Sequence, residues 1–512
     1  MLFELVLPLE ERLSVLPREV LNRLRRGIEK ESLRVQPDGL LATTPHPARL
    51  GSALTHPRIT TDFSESQVEL ITGVHSNADA CLKELTEIHQ VVYRAIGDEL
   101  LWGASMPCRL PAEDMIPLGR YGSSNVGRAK SVYRMGLSHR YGRRMQTISG
   151  IHYNFSLPEQ LSNEAYFALI RNFRRHSWLL LYLFGASPAV CSTFVDGREH
   201  GLERLSGDTL YLPYATSLRM GRLGYESDAQ SSLAVSYNSL ESYGASLQQA
   251  LTQPYPPYEA IGIRVGDDYR QLATGLLQIE NEFYGTIRPK RVIRPGERPL
   301  HALRDRGVEY VEVRLMDLDP FYPIGIVAST VRLLDVFLLH CLLCDSPPDT
   351  PQELCAIFGN KQRVAARGRE PGLRLTRGSQ EVTLAEWGGE VLAECEQIAA
   401  ALDAATVTGG NLHRDALSAA VAALDDPAAT PSARVLQAMA RDYNDSYVHF
   451  ALAQSRAHRD AILNLPLSAE VAHRFALQAE ESLVEQRRIE AADTVPFETY
   501  RQQYLAAVRL NE

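Results

Sequence analysis

Acidic residues recur in short segments whose polar and apolar residues alternate. Residues two apart share one face of a β-strand, so each segment predicts a strand with one polar and one apolar face. The segments are 27–35 (GIEKESLRV), 62–72 (DFSESQVELIT), 150–156 (GIHYNFS) and 308–315 (VEYVEVRL). Their polar positions hold Glu29 and Glu31, then Glu69 with Asp62 just upstream of its β-like stretch, then His152 and Asn154, and finally Tyr310, Glu312 and Arg314.

Any one of these segments is better explained as a half-buried strand with its polar face in water. Together the four segments favour a shared polar site, because several strands bear acids, an imidazole and an arginine beside strongly apolar faces. Such strands suit a sheet that lines a polar cavity. Carboxylates held close together need a compensating cation, and oxygen ligands with an occasional histidine suit Mg²⁺ or Mn²⁺ better than a thiolate-dependent zinc site.

A second set of residues is cationic and aromatic. Arg134 follows Tyr133, Arg219 lies in the segment LPYATSLRM, and Tyr284 precedes a basic turn at 288–291. Arginine can bind carboxylates or phosphates through two parallel hydrogen bonds, although an exposed basic loop is the better default for any one of these arginines. An anionic substrate would need local arginines of this kind.

The familiar nucleotide motifs are absent from the sequence. It has no Rossmann glycine fingerprint and no nucleophile elbow. Residues 122–130 (GSSNVGRAK) have the spacing of a phosphate loop, but Arg128 replaces its lysine, so we expect a turn-rich loop there. Any ATP would therefore be held by a different fold, most simply through metal-bridged phosphates.

Composition excludes some classes of partner. The chain has 512 residues, 45% of them hydrophobic, and a net charge of −9, which argues against wholesale binding of nucleic acid or an anionic membrane. The N-terminal segment lacks the features of a signal peptide. The apolar stretch 324–344 contains Arg332, Asp335 and His340, so it predicts a buried helix rather than a membrane span.

The cysteines indicate a reducing compartment. There are seven, without a repeated metal spacing, and the Cys341–Cys344 pair lies within an apolar helical pattern. We expect buried thiols and a cytoplasmic protein.

The pattern changes along the chain from mixed segments to mainly helical ones. We predict an α+β catalytic region at 1–325 and a mainly helical region at 326–512, packed on the core and not an independent domain. The stretch 345–378, rich in Pro, Gly and Arg, predicts an irregular connection. Helices are predicted at 78–101, 164–184, 324–344, 384–402, 414–423, 432–443 and 469–491.

Several long motifs resemble the glutamate–cysteine ligase family (γ-glutamylcysteine synthetase), proteobacterial type 1. They occur in the family's order between about residues 23 and 325, and AADTVPF at 491–497 resembles its C-terminal signature. The motifs are GIEKESLRV, LGSALTHPRITTDFSESQVELIT, MQTISGIHYNFSLP, YLFGASPAVCSTF, LPYATSLRM, LQIENEFYGTIRPKR and VEYVEVRLMDLDPFYPIG.

The resemblance implies a glutamine-synthetase-like core, in which a largely antiparallel sheet forms a funnel lined with metal ligands. It also implies the first step of glutathione biosynthesis. ATP phosphorylates the γ-carboxylate of L-glutamate, and the amine of L-cysteine then displaces phosphate, giving γ-glutamylcysteine and ADP. Mg²⁺ is the expected cofactor, with Mn²⁺ as a possible substitute. Feedback inhibition by glutathione and a monomer or small homo-oligomer are also expected.

Roles for individual residues follow from the same resemblance. The implied metal ligands are Glu29, Glu31, Asp62, Glu69, His152 and Glu312. The glutamyl part would be held by Gln146, Asn154, Arg219 and Arg314. The cysteine pocket would be formed by Phe63, Tyr133, Leu137, Tyr225 and Tyr284. Arg134 and Arg314 are the expected catalytic arginines.

Three alternatives remain open at the level of sequence. The first is a related ligase that joins glutamate to another amine. The second is a metal-dependent phosphohydrolase, which also gathers acids and histidine around cations. The third is a non-catalytic ligand-binding homologue.

Overall fold

A seven-stranded antiparallel sheet forms the centre of the fold in the computed structural model, which describes residues 9–224, 229, 233–294, 296–406 and 409–506. The strands are β1 (Arg25–Val35), β2 (Ile59–Thr61), β3 (Gln67–Ile71), β4 (Leu100–Leu101), β5 (Ile151–Ser156), β6 (Ala189–Cys191), β7 (Glu203–Ser206), β8 (Thr209–Tyr211), β9 (Arg264–Val265), β10 (Asp268–Tyr269), β11 (Ile287–Lys290), β12 (Tyr310–Met316), β13 (Arg374–Arg377) and β14 (Gln380–Thr383). The order in the large sheet is β11-β12-β5-β1-β3-β2, and β4 pairs with the end of β1.

Helices surround this sheet and make up most of the second half of the chain. They are α1 (Leu9–Ser14), α2 (Arg18–Leu21), α3 (Ala78–Ala95), α4 (Asn125–Tyr141), α5 (Asn163–Phe184), α6 (Leu240–Thr252), α7 (Pro256–Ile261), α8 (Pro299–Arg306), α9 (Ala328–Leu343), α10 (Pro351–Arg367), α11 (Leu384–Ala405), α12 (Leu412–Asp425), α13 (Pro431–Asp442), α14 (Tyr447–Asn464), α15 (Ala469–Ala492) and α16 (Phe497–Leu505). The predicted α+β fold class, with its antiparallel sheet and helical C-terminal part, is confirmed.

The two faces of the sheet differ as the alternation predicts. Ile28, Tyr153 and Val313 are fully buried on the back face, where α3 and α5 cover the sheet. The back face also holds polar anchors, since the Tyr153 hydroxyl donates a 2.6 Å hydrogen bond to Asp335 of α9. Asp335 in turn pairs with Arg26 of β1 at 2.9 Å. These bonds fix α9 to the two central strands.

Helix boundaries follow local capping signals. Asn77, Ser162 and Ser468 each accept a backbone hydrogen bond at the start of α3, α5 and α15, as is usual for N-cap residues. The helices predicted at 164–184, 384–402, 414–423, 432–443 and 469–491 are present within a few residues of their expected bounds. The helix expected at 324–344 begins later, at Ala328.

Three predictions of local structure were wrong. The helix expected to run to residue 101 ends at Ala95, because the chain turns at Gly97 (φ +64°) and then adds β4 to the sheet. Residues 122–130 do not form a turn-rich loop, since Ser124 caps α4 there. The connection expected at 345–378 contains α10, which starts at the Thr350 cap, and the strand β13.

Two expected site segments can be compared in detail. Asp62, expected just upstream of the strand that holds Glu69, lies in the turn that separates β2 from β3. The basic turn expected at 288–291 is mostly the strand β11.

The C-terminal helices close one side of the fold. The Ser482 hydroxyl of α15 accepts a 2.9 Å hydrogen bond from the amide of Ser52. The guanidinium of Arg128 in α4 lies 4.4 Å from the ring centre of Phe497 in α16. Within the described part of the chain, no helix combines the length and the apolar character needed to cross a membrane.

Candidate functional site

The register of the central strands brings acids and an imidazole onto one face of the sheet. Glu29 of β1 lies opposite His152 of β5, and Glu31 lies opposite Glu69 of β3. Glu312 of β12 lies opposite Asn154, two residues along β5 from His152. Because these pairs share one face, the antiparallel pairing itself builds the acidic cluster.

The imidazole of His152 lies at the centre of this cluster. Its Nδ1 atom is 3.3 Å from Glu29 Oε2 and 4.0 Å from Glu312 Oε1, and its Nε2 atom is 3.6 Å from Glu31 Oε1. Burial, and then the positive charge of Arg314, lowers the pKa of His152. The ring is therefore kept neutral at ordinary pH, which is the form that ligates metal ions.

Glu312 is compensated by two cations of the chain. Lys290 Nζ is 3.0 Å from Glu312 Oε1, and Arg314 Nη1 is 3.0 Å from Glu312 Oε2. Burial opposes the ionisation of Glu312, but Lys290 and then Arg314 outweigh it and hold the pKa of Glu312 well below its usual value. Glu312 is thus an ionised carboxylate with its charge already balanced.

The other half of the cluster gathers carboxyl groups that the chain compensates poorly. Burial, and then the charge of Asp62, raises the pKa of Glu31 to about 8. The same two causes, in the same order, raise the pKa of Glu69 well above its usual value. Glu31 is nevertheless held in place, since its Oε2 atom accepts a 2.7 Å hydrogen bond from the amide of Gly150.

These residues fit a hard divalent cation. The ligand atoms of Glu29, His152 and Glu312 all lie within 4.8 Å of one another. Asn154 donates a 2.9 Å hydrogen bond to Glu29, while its buried Oδ1 atom has no hydrogen-bond partner among the described residues. The cluster offers carboxylate oxygens, one imidazole and an unpartnered amide oxygen, and it has few compensating cations. This set of ligands suits Mg²⁺ or Mn²⁺.

Arg134 is fixed beside the acidic cluster by three contacts. Its guanidinium carbon lies 4.4 Å from the ring centre of Tyr121, its Nε atom donates to the backbone carbonyl of Asp62, and its Nη1 atom donates to the carbonyl of Lys130 at 2.9 Å. The Lys130 ammonium lies 5.1 Å from the same tyrosine ring. Two cations therefore stand next to the uncompensated acids.

A buried arginine supports the opposite side of the cluster. Arg219 is 1% exposed, lies 3.7 Å from Asp317, and donates a 2.8 Å hydrogen bond to the backbone carbonyl of Arg314. Its approach requires a glycine, because a Cβ atom on Gly150 would lie only 2.0 Å from Arg219 Nη2. Gly150 therefore positions both Arg219 and Glu31.

An aromatic region borders the cluster on the side of α4. Tyr133 and Leu137 are four residues apart on this helix, so they share one face. Tyr284 packs at a ring distance of 6.1 Å against Tyr141, and its hydroxyl accepts a 3.4 Å hydrogen bond from Gln146. Burial, and then the neighbouring Tyr284, raises the pKa of Tyr133. Phe63 is 4% exposed and directly follows Asp62.

The structure brings most of the residues singled out from the sequence into this one region. It joins the acids to His152 and Asn154, Arg314 to Glu312, Arg134 to Asp62, and Gln146 to Tyr284. Tyr225 lies outside the described residues.

Sequence reasoning assigned no role in the site to two cations. Lys290 pairs with Glu312, and Lys130 stands beside Tyr121. The sequence held part of the signal for Lys290, since this residue lies in the basic segment 288–291, but its pairing with Glu312 depends on the register of β11 against β12.

The fold and the site together define an α+β protein whose antiparallel sheet presents an acid-lined face bordered by arginines and lysines. Such a face can bind cations and anionic groups side by side, as phosphoryl transfer to a carboxylate requires.

Comparisons with known proteins identify the family. The model of the glutamate–cysteine ligase family matches residues 12–364. A glutamate–cysteine ligase of Pseudomonas entomophila is 49% identical over 519 residues, covering 98% of this chain and 97% of the relative. The crystal structure of glutamate–cysteine ligase from Francisella tularensis in complex with AMP has a TM-score of 0.89 and 37% identity, covering 94% of this chain and 97% of that one.

A bifunctional glutathione synthetase from Pasteurella multocida is also similar in structure. Its TM-score is 0.70 at 26% identity, covering 90% of this chain and 57% of the longer protein. The chain belongs to the glutamate–cysteine ligase family. The family and the ligase class predicted from the sequence are confirmed.

Proposed function

We propose that this chain joins the γ-carboxylate of L-glutamate to the amine of L-cysteine at the acid-lined face of the sheet, consuming ATP and passing through γ-glutamyl phosphate. The product is γ-glutamylcysteine, the first intermediate of glutathione biosynthesis. The observation that carries the proposal is the cluster of Glu29, Glu31, Glu69, His152 and Glu312 beside arginines, in a chain that matches glutamate–cysteine ligases over nearly its whole length. The AMP in the Francisella structure supports an adenine nucleotide as co-substrate.

The chemistry explains why the site mixes acids and cations. An amine cannot displace oxide from a carboxylate, so the γ-carboxylate must first receive the terminal phosphoryl group of ATP. ADP leaves in this step, and the amine of cysteine then attacks the acyl phosphate and releases phosphate. The site must therefore hold two anions together, which requires concentrated positive charge.

We assign the divalent cations to six side chains of the acidic cluster. These are Glu29, Glu31, Asp62, Glu69, His152 and Glu312. A Mg²⁺ or Mn²⁺ ion held by these side chains would supply the positive charge that offsets the charge of the phosphates in the transition state. The raised pKa values of Glu31 and Glu69 support this assignment, because the chain leaves that half of the cluster poorly compensated and a bound cation would favour the ionised carboxylates.

The arginines would act on the reacting groups directly. Arg314 is held at 3.0 Å by Glu312, which orients its guanidinium toward the face where His152 lies. We assign it to the carboxylate that is phosphorylated. Arg134 is held over Tyr121 beside Asp62, and we assign it to the phosphoryl group in transfer. A planar guanidinium suits both tasks, since it donates two parallel hydrogen bonds to oxyanions.

Two subsites would hold the reacting amino acids. Gln146, Asn154, Arg219 and Arg314 are assigned to the glutamyl part. The side chains assigned to the cysteine pocket are Phe63, Tyr133, Leu137, Tyr225 and Tyr284. The hydrogen bond between Gln146 and Tyr284 supports adjacent subsites, because it joins one residue of each set. Aromatic walls suit a small thiol side chain, since sulfur packs favourably against aromatic rings.

The test is incubation of the purified protein with ATP, Mg²⁺, glutamate and a panel of amines. We expect release of ADP to require glutamate and to be fastest with cysteine. A different preferred amine would identify a related ligase. Equal phosphate release without any amine would identify a phosphohydrolase, and no turnover with ligand binding retained would identify a binding protein.

Some properties of the whole molecule belong to the same proposal. We assign the protein to the cytoplasm, with residues 326–512 packed on the catalytic core rather than forming an independent domain. Glutathione is expected to inhibit the enzyme, and the protein is expected to be a monomer or small homo-oligomer. Light scattering and inhibition by added glutathione test these two expectations.

A further inference from the structure

A cluster of metal-ligating side chains lies on the helical side of the molecule, behind the sheet. His340 lies in the last turn of α9, and Cys344 is the C-cap residue that follows this turn. Glu394 of α11 reaches the same place, where its Oε2 atom is 2.7 Å from His340 Nε2. Ligand atoms of these three residues lie within 4.8 Å of one another.

The position of this cluster separates it from the acid-lined face. Helices α5 and α9 pack against each other, and α5 covers β11 and β12 on the back of the sheet. Glu312 points to the opposite face of the same strands, as its contact with Lys290 shows. The sheet therefore lies between the two clusters, and they do not share ligands.

Unpartnered imidazole nitrogens mark the site as incomplete. His340 is fully buried, yet its Nδ1 atom has no hydrogen-bond partner among the described residues. The ring of His176 from α5 lies 5.8 Å away, centre to centre, and its buried Nδ1 atom likewise has no such partner in the described part of the chain. Two buried imidazole rings with unpartnered nitrogens therefore lie side by side at this cluster.

The surroundings allow an ion to enter. The Glu394 side chain is 55% exposed, while His340 is 0% exposed. His176 also lines a cavity of about 470 Å³ together with Arg175, Arg377 and Trp387. One side of the cluster is thus anchored in the core and the other side opens to solvent.

We propose that His340, Cys344 and Glu394, with His176 as a neighbouring ligand, form a second metal site that takes a thiophilic divalent cation of the zinc class. A sulfur, imidazole nitrogens and one carboxylate oxygen are the donors that Zn²⁺ prefers, whereas Mg²⁺ has little affinity for sulfur. Tetrahedral Zn–N and Zn–S bonds place their ligand atoms about 3.5 Å apart. The present separations range from 2.7 Å, between Glu394 Oε2 and His340 Nε2, to at most 4.8 Å, so the exposed Glu394 side chain must shift when the ion binds.

Binding would also exchange a proton. A thiol ligates a metal ion as its thiolate, so the Cys344 thiol must lose its proton when the ion binds. The incoming cation would replace that proton on sulfur and release it to solvent. The cation keeps its oxidation state, so no oxidant or reductant is needed.

Titration of the full-length, reduced protein with Co²⁺ in saturating Mg²⁺ tests the proposal. We expect an absorption band from thiolate-to-cobalt charge transfer and its loss on addition of Zn²⁺. The acid-lined face cannot give this band, because its ligands Glu29, His152 and Glu312 include no sulfur. Absence of the band in the unsubstituted protein would overturn the proposal.

Three variants assign the ligands. Cys344→Ser should remove the band, whereas Cys355→Ser, at an exposed cysteine on α10, should leave it unchanged. Glu394→Gln should keep the band but weaken Co²⁺ binding at least about tenfold. Because Glu394 is on the surface, this variant remains informative if Cys344→Ser does not fold. A band that survives in Cys344→Ser, or unaltered Co²⁺ affinity in Glu394→Gln, would refute the assigned ligands.

Discussion

The charge balance of the acidic cluster predicts that two matched substitutions have opposite effects on stability. Glu312 is paired with Lys290 and Arg314, whereas the side chains that most influence Glu69 are other acids. Glu312→Gln and Glu69→Gln should both remove a ligand and lower kcat by at least about 100-fold at saturating Mg²⁺. In the metal-free protein, however, the first should destabilise the fold and the second should not.

The magnitudes follow from the distances. Two unit charges 3.0 Å apart interact by about 5 kcal/mol at an effective dielectric constant near 20. The cost of taking these charges out of water reduces this, and Lys290 and Arg314 are 28% and 19% exposed, so we expect Glu312→Gln to cost about 3 kcal/mol of unfolding free energy. Glu69→Gln relieves repulsion from the neighbouring acids and should raise the unfolding free energy by about 1–2 kcal/mol.

The assay is urea unfolding in the presence of a chelator, followed by circular dichroism, together with turnover in Mg²⁺. Glu485→Gln, on the exposed face of α15, is the matched control and should change neither quantity. Stability changes of the same sign in Glu69→Gln and Glu312→Gln would contradict this charge balance. Near-normal turnover of either variant at saturating Mg²⁺ would contradict its assignment as a ligand.

Three further predictions concern the subsites and the core. Tyr284→Ala should raise the KM for cysteine about tenfold and the KM for glutamate less, because the cysteine pocket loses an aromatic wall. Steady-state kinetics with each substrate varied will test this, and a larger effect on the KM for glutamate would mean that the two subsites have been assigned the wrong way round. Gly150→Ala should raise the KM for glutamate, since the new Cβ would lie 2.0 Å from Arg219 Nη2; unchanged kinetics would mean that Arg219 does not support the glutamyl subsite. Asp319→Asn should stabilise the protein above pH 6, because burial raises the pKa of Asp319 to about 6. Between about pH 4 and 6 the folded protein holds a proton on Asp319 that the unfolded chain has lost, so the stability of the unsubstituted protein falls by up to about 3 kcal/mol as pH rises through this range. The stability gained by Asp319→Asn should therefore vanish near about pH 4, which thermal melts at several pH values will test.

The local predictions failed where composition was weighed above capping. Residues 345–378 are rich in Pro, Gly and Arg, yet Thr350 accepts a hydrogen bond from Glu353 and Pro351 occupies the first turn of α10. Both are favourable signals for a helix start, because the first turn needs an acceptor and leaves its amides unbonded. Ser124 gives the same signal at the start of α4. The capping residues in these segments were visible in the sequence and should have outweighed their loop-like composition.

The sequence by itself determined which side chains share a strand face. The alternation in β1 keeps Glu29 and Glu31 together, and that in β5 separates His152 from Tyr153, because successive side chains of a strand point to opposite faces. Long motifs were also sufficient to indicate the family.

Only the tertiary structure decided which of these faces meet. Glu29 lies opposite His152 because β1 pairs with β5, although 123 residues separate the two side chains along the chain. The pairing of Glu312 with Lys290 depends likewise on the register of β11 against β12. Strand order and register are set by the burial of all the apolar faces at once, and the sequence of a single segment does not specify how this is achieved. On the acid-lined face, the neighbours of each carboxylate in space therefore determine whether the chain balances its charge or a bound cation must do so.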